Sequence, residues 1–308
     1  MRAESRAPAK VIIAGEHFVV HGGRALAVSV DMWARATAES GGSLVLESAD
    51  PPGRCAGAGE CARHLLPLYS MLDEIARDHP GAVGRYRVES GIPQARGLGS
   101  SAATAVSLAA AALALAEGEA PRDRVYEYAM ISERLVHGNP SGVDPAASTY
   151  GGAILYSRSE GIRRLRVQRG RLLVCCGASQ RSTAAMVRSV AAFGSARREL
   201  FEALTESSSD LVLAAASALE AGDSGSLAPI LRWHQGALRI LGVSSEELET
   251  YVSSMESRGM AAKLTGAGGG GCALGIPAPP STSGFPCPAP IVRVVEYPSG
   301  GVEAWRLP

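Results

Sequence analysis

Lysine is almost missing from this sequence: of 30 basic residues only Lys10 and Lys263 are lysine, and the rest are arginine. An ammonium is a compact point charge that fits beside one phosphate or alkoxide oxygen, where a planar guanidinium fork does not. Both lysines open a glycine-containing stretch, so each is a candidate for a task arginine cannot perform, with chance survival as the open alternative. Net charge is missing too, because 30 acidic residues balance the basic ones. That removes a bulk electrostatic reason for a nucleic-acid or anionic-membrane partner, and none is expected. Aromatic residues make up only 5%, yet 46% of the chain is hydrophobic and 19% charged, a globular composition that excludes a disordered or collagen-like chain.

Long apolar runs are scarce as well. Ala102 to Ala116 is dominated by alanine, carries Thr104 and Ser107, and falls short of the roughly 20 residues that span a bilayer. It reads as a buried helix. The opening MRAESRAPAK leads only into the short run Val11 to Ala14, where a secretory core needs about 7 to 15 residues, so a cytoplasmic protein is expected. The six cysteines show no paired CxxC spacing, which argues against a zinc site or a secreted disulfide scaffold. Cys55 and Cys61 sit near enough in a Gly-rich loop to pair, but in a reducing compartment they are expected as free thiols.

With 308 residues the chain exceeds the roughly 250 to 300 at which a single core stops growing, which predicts two domains. Short β-branched or alternating segments predict strands at Val11 to Ala14, Ala25 to Thr37, Ser43 to Glu47, Tyr86 to Glu89 and Gly151 to Tyr156. Helical spacing predicts helices over His64 to His79, Ser101 to Glu117 and Arg122 to His137, the last introduced by Pro121. Beyond a strand at Leu172 to Cys176, helices run from Thr183 to Arg258 with expected breaks near Ser207 to Ser209 and Ala221 to Ser226. Strands return at Ala261 to Thr265, Cys272 to Ile276, Ile291 to Tyr297 and Val302 to Leu307. The chain is therefore α+β in two parts, residues 1–165 and 166–308.

Three stretches carry chemistry. Gly97-Leu98-Gly99-Ser100-Ser101-Ala102-Ala103 lies between a strand and a strong helix, so its amides and the positive helix end form an anion site suited to phosphate. Ser100 and Ser101 can also bind a phosphate oxygen or magnesium, while plain serine capping of the helix stays open. GxGxxA and GxGxxG matches occur here and at Gly266 to Gly271, but no acid stands where a dinucleotide fold requires one. No Lys-Ser or Lys-Thr follows either glycine cluster, which excludes a P-loop. Glu133 and His137 share one helix face before Gly138-Asn139-Pro140, and Asp144 follows. One carboxylate can hold a hard metal and the other accept a proton; surface pairing of Glu133 and local capping by Asp144 stay open, and a zinc pair lacks a third ligand.

Together these segments resemble the GHMP kinases. Lys10-Val11-Ile12-Ile13-Ala14-Gly15-Glu16-His17-Phe18-Val19-Val20-His21-Gly22 is similar to the family's first motif, Gly97 to Ala103 to its phosphate loop, and Lys263-Leu264-Thr265-Gly266-Ala267-Gly268-Gly269-Gly270-Gly271-Cys272 to its third. The GEHxVVHG and ERxxHGNPSGVD forms resemble the mevalonate kinase branch in particular. The resemblance implies an N-terminal domain like ribosomal protein S5, a C-terminal ferredoxin-like domain, an active site between them and a homodimer. It implies MgATP and mevalonate as ligands, with Gly97, Leu98, Gly99, Ser100, Ser101 and Ala102 around ATP and Ser101 and Glu133 on Mg²⁺. It further implies Asp144 and Lys10 as the catalytic pair, with Glu16, His17 and Thr183 lining the mevalonate pocket and Arg181 near the carboxylate. A sibling kinase, mevalonate diphosphate decarboxylase and a non-catalytic ligand sensor are the alternatives. Gln94-Ala95-Arg96 departs from the small residues common before the phosphate loop, and the segment 55–61 has no family role.

Overall fold

A computed structural model describes residues 1–57, 59–138, 140–178 and 183–307. In chain order its elements are β1 (Arg2–Ala14), β2 (Arg24–Ser40), β3 (Val45–Ala49), β4 (Pro52–Cys55), α1 (Leu66–Asp78), β5 (Gly84–Ser90), α2 (Ser100–Glu117), α3 (Arg122–His137), α4 (Val143–Tyr150), β6 (Ala153–Ser157), β7 (Gly161–Leu165) and β8 (Gly170–Cys176). There follow α5 (Thr183–Ala196), α6 (Arg198–Ala221), α7 (Ser224–Ile240), α8 (Glu246–Glu256), β9 (Ala261–Thr265), β10 (Cys272–Ile276), β11 (Ile291–Tyr297) and β12 (Glu303–Leu307).

The first sheet runs β12-β1-β2-β5-β3-β4, with β6 on the other reach of β2 and β7 beyond it. Every pairing in it is antiparallel except β3 with β5. The 17-residue β2 has two partners on one side: its start pairs with β6 and its end with β5, and the register shift after Pro8 of β1 falls opposite the stretch between them. The second sheet, β11-β8-β10-β9, is wholly antiparallel. It lies entirely after residue 165, whereas β12 returns to pair with Arg2 to Arg6 of β1.

Alanine explains how α2 sits. From Ala102 to Leu115 nearly every side chain is buried, and the helix packs on β1 and β2 with α3 and α4 beside it. A methyl-sized surface lets backbones approach closely on all sides, which is why a helix apolar enough in length and composition to cross a membrane is an interior element. Gly99 in left-handed conformation starts it and Gly118 ends it the same way.

Two expectations fail. The helix break near Ser207 to Ser209 is absent, and α6 runs through it unbroken. Ser207 is exposed, but the other two are buried rather than solvated: Ser208 Oγ lies 3.1 Å from His234 Nε2, and Ser209 Oγ donates to the Thr205 carbonyl at 2.9 Å. The interruption falls instead between Ala196 and Arg198. The thiols also depart from expectation, because Cys55 pairs with Cys61 and Cys176 with Cys272 in disulfides, leaving Cys175 and Cys287 free. Cys176 and Cys272 stand directly opposite on β8 and β10, a register that a sequence separation of 96 conceals.

Because Ala109 is fully buried on a helix enclosed all round, Ala109→Leu has nowhere to place its added carbons. It is expected to lower the unfolding free energy by about 1–3 kcal/mol in urea titrations. An unchanged midpoint would mean that α2 is loosely packed.

Candidate active site

A cavity of about 590 Å³ opens where β1, the start of α2, the end of α3, the start of α4 and the loop after β9 meet. Lys10 is its anchor. The β1 side chain is 1% exposed, and its Nζ lies 3.1 Å from Asp144 Oδ1 and donates to the Gly97 carbonyl at 3.0 Å. An ammonium taken out of water needs such partners, since its desolvation costs several kcal/mol. Gly99 makes room for it: a Cβ there would meet Lys10 Cγ and Cε at 3.0 Å. Asp144, 35% exposed in the first turn of α4, keeps the rest of its carboxylate open to the cavity.

Gly97 and Gly99 both have positive φ, 83° and 73°, and the reason at Gly97 is contact with another chain segment. A Cβ on Gly97 would stand 2.4 Å from the Thr265 carbonyl, and one on Gly266 would stand 2.6 Å from Gly97 Cα, so the two glycine loops touch backbone to backbone. The first turn of α2 has no side-chain cap, which removes the simple capping alternative. Its amides point as free donors from a positive helix end. Gly97, Gly99, Ser100, Ser101 and Ala102 line the cavity. Leu98 does not: its side chain is wholly buried in the core, and its carbonyl receives the Lys10 amide at 3.0 Å.

Glu133, near the end of α3, is 3% exposed and lines the same space. Burial pushes its carboxyl up to about 8, aided by the nearby Asp144 charge and opposed by the Ser101 hydroxyl and Lys10. Its Oε1 is buried without a hydrogen-bond partner. A hard oxygen ligand beside a serine hydroxyl and a helix end suited to phosphate matches magnesium, which takes one or two carboxylates and completes its shell with phosphate and water. His137 Nε2 stands 3.7 Å from Glu133 Oε2, but no group of three metal-ligating side chains exists among the described residues, so a zinc site gains no support.

At the opposite wall stand Glu16 and His17, both buried. His17 adopts a left-handed backbone, φ 64°, and its Nε2 lies 2.9 Å from the Ala267 carbonyl, which requires that nitrogen to carry the proton. Burial lowers its pKa to about 4, so the ring is neutral at neutral pH. Glu16 pairs with Lys263, a contact between residues 247 apart that sequence spacing cannot disclose. Thr183 opens α5, is exposed and lines the cavity, while Arg181 lies outside the described residues. Sequence reasoning missed Asp50 between β3 and β4, His64 and Leu65 just before α1, and Leu68 in its first turn, which line the cavity and carry no motif. It also assigned no role to Gly266 and Ala267, although their glycine-rich run was visible.

The sequence matches the GHMP kinases N terminal domain over residues 63–152 and the GHMP kinases C terminal domain over residues 215–283. The chain belongs to the GHMP kinases. It is 38% identical to the mevalonate kinase of Aeropyrum pernix over 286 residues, covering 89% of this kinase and 88% of that one. With the mevalonate kinase of Archaeoglobus fulgidus it shares 32% over 279 residues, 88% and 90% of the two chains. The crystal structure of L. major mevalonate kinase in complex with R-mevalonate superposes with a TM-score of 0.79 at 25% identity, covering 97% of each chain. The two-domain mixed fold expected for this kinase is thereby found.

The raised Glu133 carboxyl has a definite consequence for the metal-free kinase. Between about 4.5 and about 8 the folded chain holds a proton at Glu133 that the unfolded chain has released, so this group makes stability fall as pH rises through that window. Glu133→Gln removes the dependence. Urea unfolding from pH 5 to pH 8 is expected to show the parent losing stability relative to the variant; parallel profiles would place Glu133 in water.

Proposed function

We propose that this kinase is a mevalonate kinase, transferring the γ-phosphate of ATP to the 5-hydroxyl of mevalonate to give 5-phosphomevalonate and ADP. The observation that carries the reading is the 3.1 Å contact between Lys10 Nζ and Asp144 Oδ1, at the floor of a cavity shared with an uncapped helix start. The near full-length similarity to mevalonate kinases supports the choice of acceptor. A buried ammonium, a helix-end anion cradle, a buried carboxylate with a free oxygen and an accessible carboxylate at one cleft also favour an enzyme over a silent ligand-binding relative.

In this reading the amides of Gly97 to Ala102 receive the ATP phosphates, and Ser101 with Glu133 holds Mg²⁺, which supplies positive charge to the phosphate oxygens. Asp144 accepts the proton of the substrate hydroxyl as its oxygen bonds to the γ-phosphorus. The bond from that phosphorus to the β,γ-bridging oxygen breaks, and ADP leaves. Lys10 lies against Asp144 on the side away from the opening, where it lowers the energy of the alkoxide-like oxygen and of charge on the moving phosphoryl group. Glu16, His17 and Thr183 shape the acid's pocket. Division into residues 1–165 and 166–308, a homodimer and a cytoplasmic setting belong to the same reading.

Asp144→Asn keeps the shape of the side chain but removes the proton acceptor. It is expected to lower kcat by about 10²–10⁴ while the Kd for ATP moves little. A coupled ADP-release assay on mevalonate, phosphomevalonate, galactose and homoserine reads both the acceptor and the loss. Turnover on another alcohol alone would overturn the substrate, and near-normal turnover by the variant would overturn the role of Asp144.

A further inference from the structure

We propose that Lys263 is a positioning residue: its ion pair with Glu16 fixes that carboxylate so that the second oxygen, Oε2, accepts a hydrogen bond from a substrate hydroxyl that does not react. The inference rests on the mevalonate kinase reading and deepens it by naming what holds the acid's tertiary 3-hydroxyl.

Lys263 has no path of its own to a ligand. It is fully buried on β9 and does not line the cavity. Its three protons meet three acceptors: Glu16 Oε1, the Leu264 carbonyl at 2.6 Å and the Ile12 carbonyl at 3.5 Å. A tetrahedral ammonium satisfies three converging oxygens in a fully closed space, which a planar guanidinium does not. This accounts for the second of only two lysines in a chain otherwise built with arginine.

Glu16, by contrast, lines the cavity and is unevenly satisfied. Oε1 is bound to Lys263, whereas Oε2 is buried with no partner. A buried carboxylate oxygen left without a donor is costly, and folded chains keep few of them. Its neighbour His17 is committed through Nε2 to Ala267. The group that fits Oε2 is an uncharged donor, because another carboxylate would be repelled; of the parts of mevalonate, only a hydroxyl qualifies. With the 5-hydroxyl required at Asp144, the 3-hydroxyl is the one left for Glu16. Burial raises the Glu16 carboxyl and lowers the Lys263 ammonium, and each partner opposes the other's shift.

The test compares kcat/KM for mevalonate and for 5-hydroxy-3-methylpentanoate, the same acid without the 3-hydroxyl. The parent kinase is expected to favour mevalonate by at least about a hundredfold, since a site built to bond a hydroxyl rejects the analogue lacking it. Lys263→Met is the direct variant. Because one unpaired buried charge can unfold a chain, the double variant Glu16→Gln/Lys263→Met, which removes both charges, accompanies it. Preference in the double variant is expected to fall below about tenfold, with the Kd for ADP by titration calorimetry within about threefold of the parent. A parent that turns over both acids equally overturns the hydroxyl contact and leaves the kinase reading standing. A double variant that keeps the full preference, or that loses ADP affinity in step with it, also overturns the proposal, since the pair would then be structural. No turnover of mevalonate by the parent sinks the mevalonate reading, and this proposal with it.

Discussion

An ammonium group removed from water must find oxygens, and the demand made by Lys10 assembles the centre of this molecule. Its partners come from two other segments: the carbonyl of Gly97 from the loop before α2, and Asp144 from the first turn of α4. The main chain follows the same alignment, since the Lys10 amide donates to the Leu98 carbonyl. Neither partner is near Lys10 in sequence, so satisfying one buried charge brings the helix start that suits phosphate against the carboxylate that suits a proton. Gly99 is part of that demand, because any side chain there would displace the Lys10 stem.

Several residues that join the two sheets also line the cavity, among them Ile12, Glu16, His17 and Ala267. Ile12 donates to Thr265 Oγ1 at 2.9 Å, Lys263 reaches from β9 to Glu16, and His17 bonds to Ala267. Gly97 and Gly266 touch with no side chain between them. A change at this seam therefore alters the site as well as the fit of the halves. The strained backbone of His17 belongs here: a non-glycine residue at φ 64° costs of order 1–3 kcal/mol and is sustained where surrounding contacts fix it, as the Ala267 bond does.

How much of this was legible depends on whether the constraint is local. The glycines of 97–99, the lysine at 10 and the carboxylates at 133 and 144 could be read, because the chemistry of phosphate, metal and proton admits few residue types and places them next to helix ends. Most strands and the buried reading of α2 followed from spacing and from alanine, whereas β4, β7 and the first half of β1 were missed. Ser207 to Ser209 misled, since hydroxyls usually mark solvent; here Ser208 faces a buried histidine across α7 and Ser209 bonds back along its own helix. The Cys176–Cys272 disulfide and the Glu16–Lys263 pair depend on which strands lie side by side, and nothing within a window of neighbours encodes that.

The remaining step concerns polar atoms that the fold leaves unsatisfied. Interiors pair nearly all buried donors and acceptors, so exceptions that gather in one place call for a reason. Glu16 Oε2, Glu133 Oε1 and Arg96 Nη1 are buried without partners in residues that line the same cavity, while the buried hydroxyls of Ser132, Ser148 and Thr149 are unpaired away from it. Two carboxyl oxygens and one guanidinium donor at this cavity are thus left for a ligand to satisfy. Under the proposed function, MgATP and the hydroxy acid would supply the partners that these atoms lack. Fixed groups of this kind do not reorganise as charge moves during transfer, and that rigidity is the main electrostatic advantage a protein has over water.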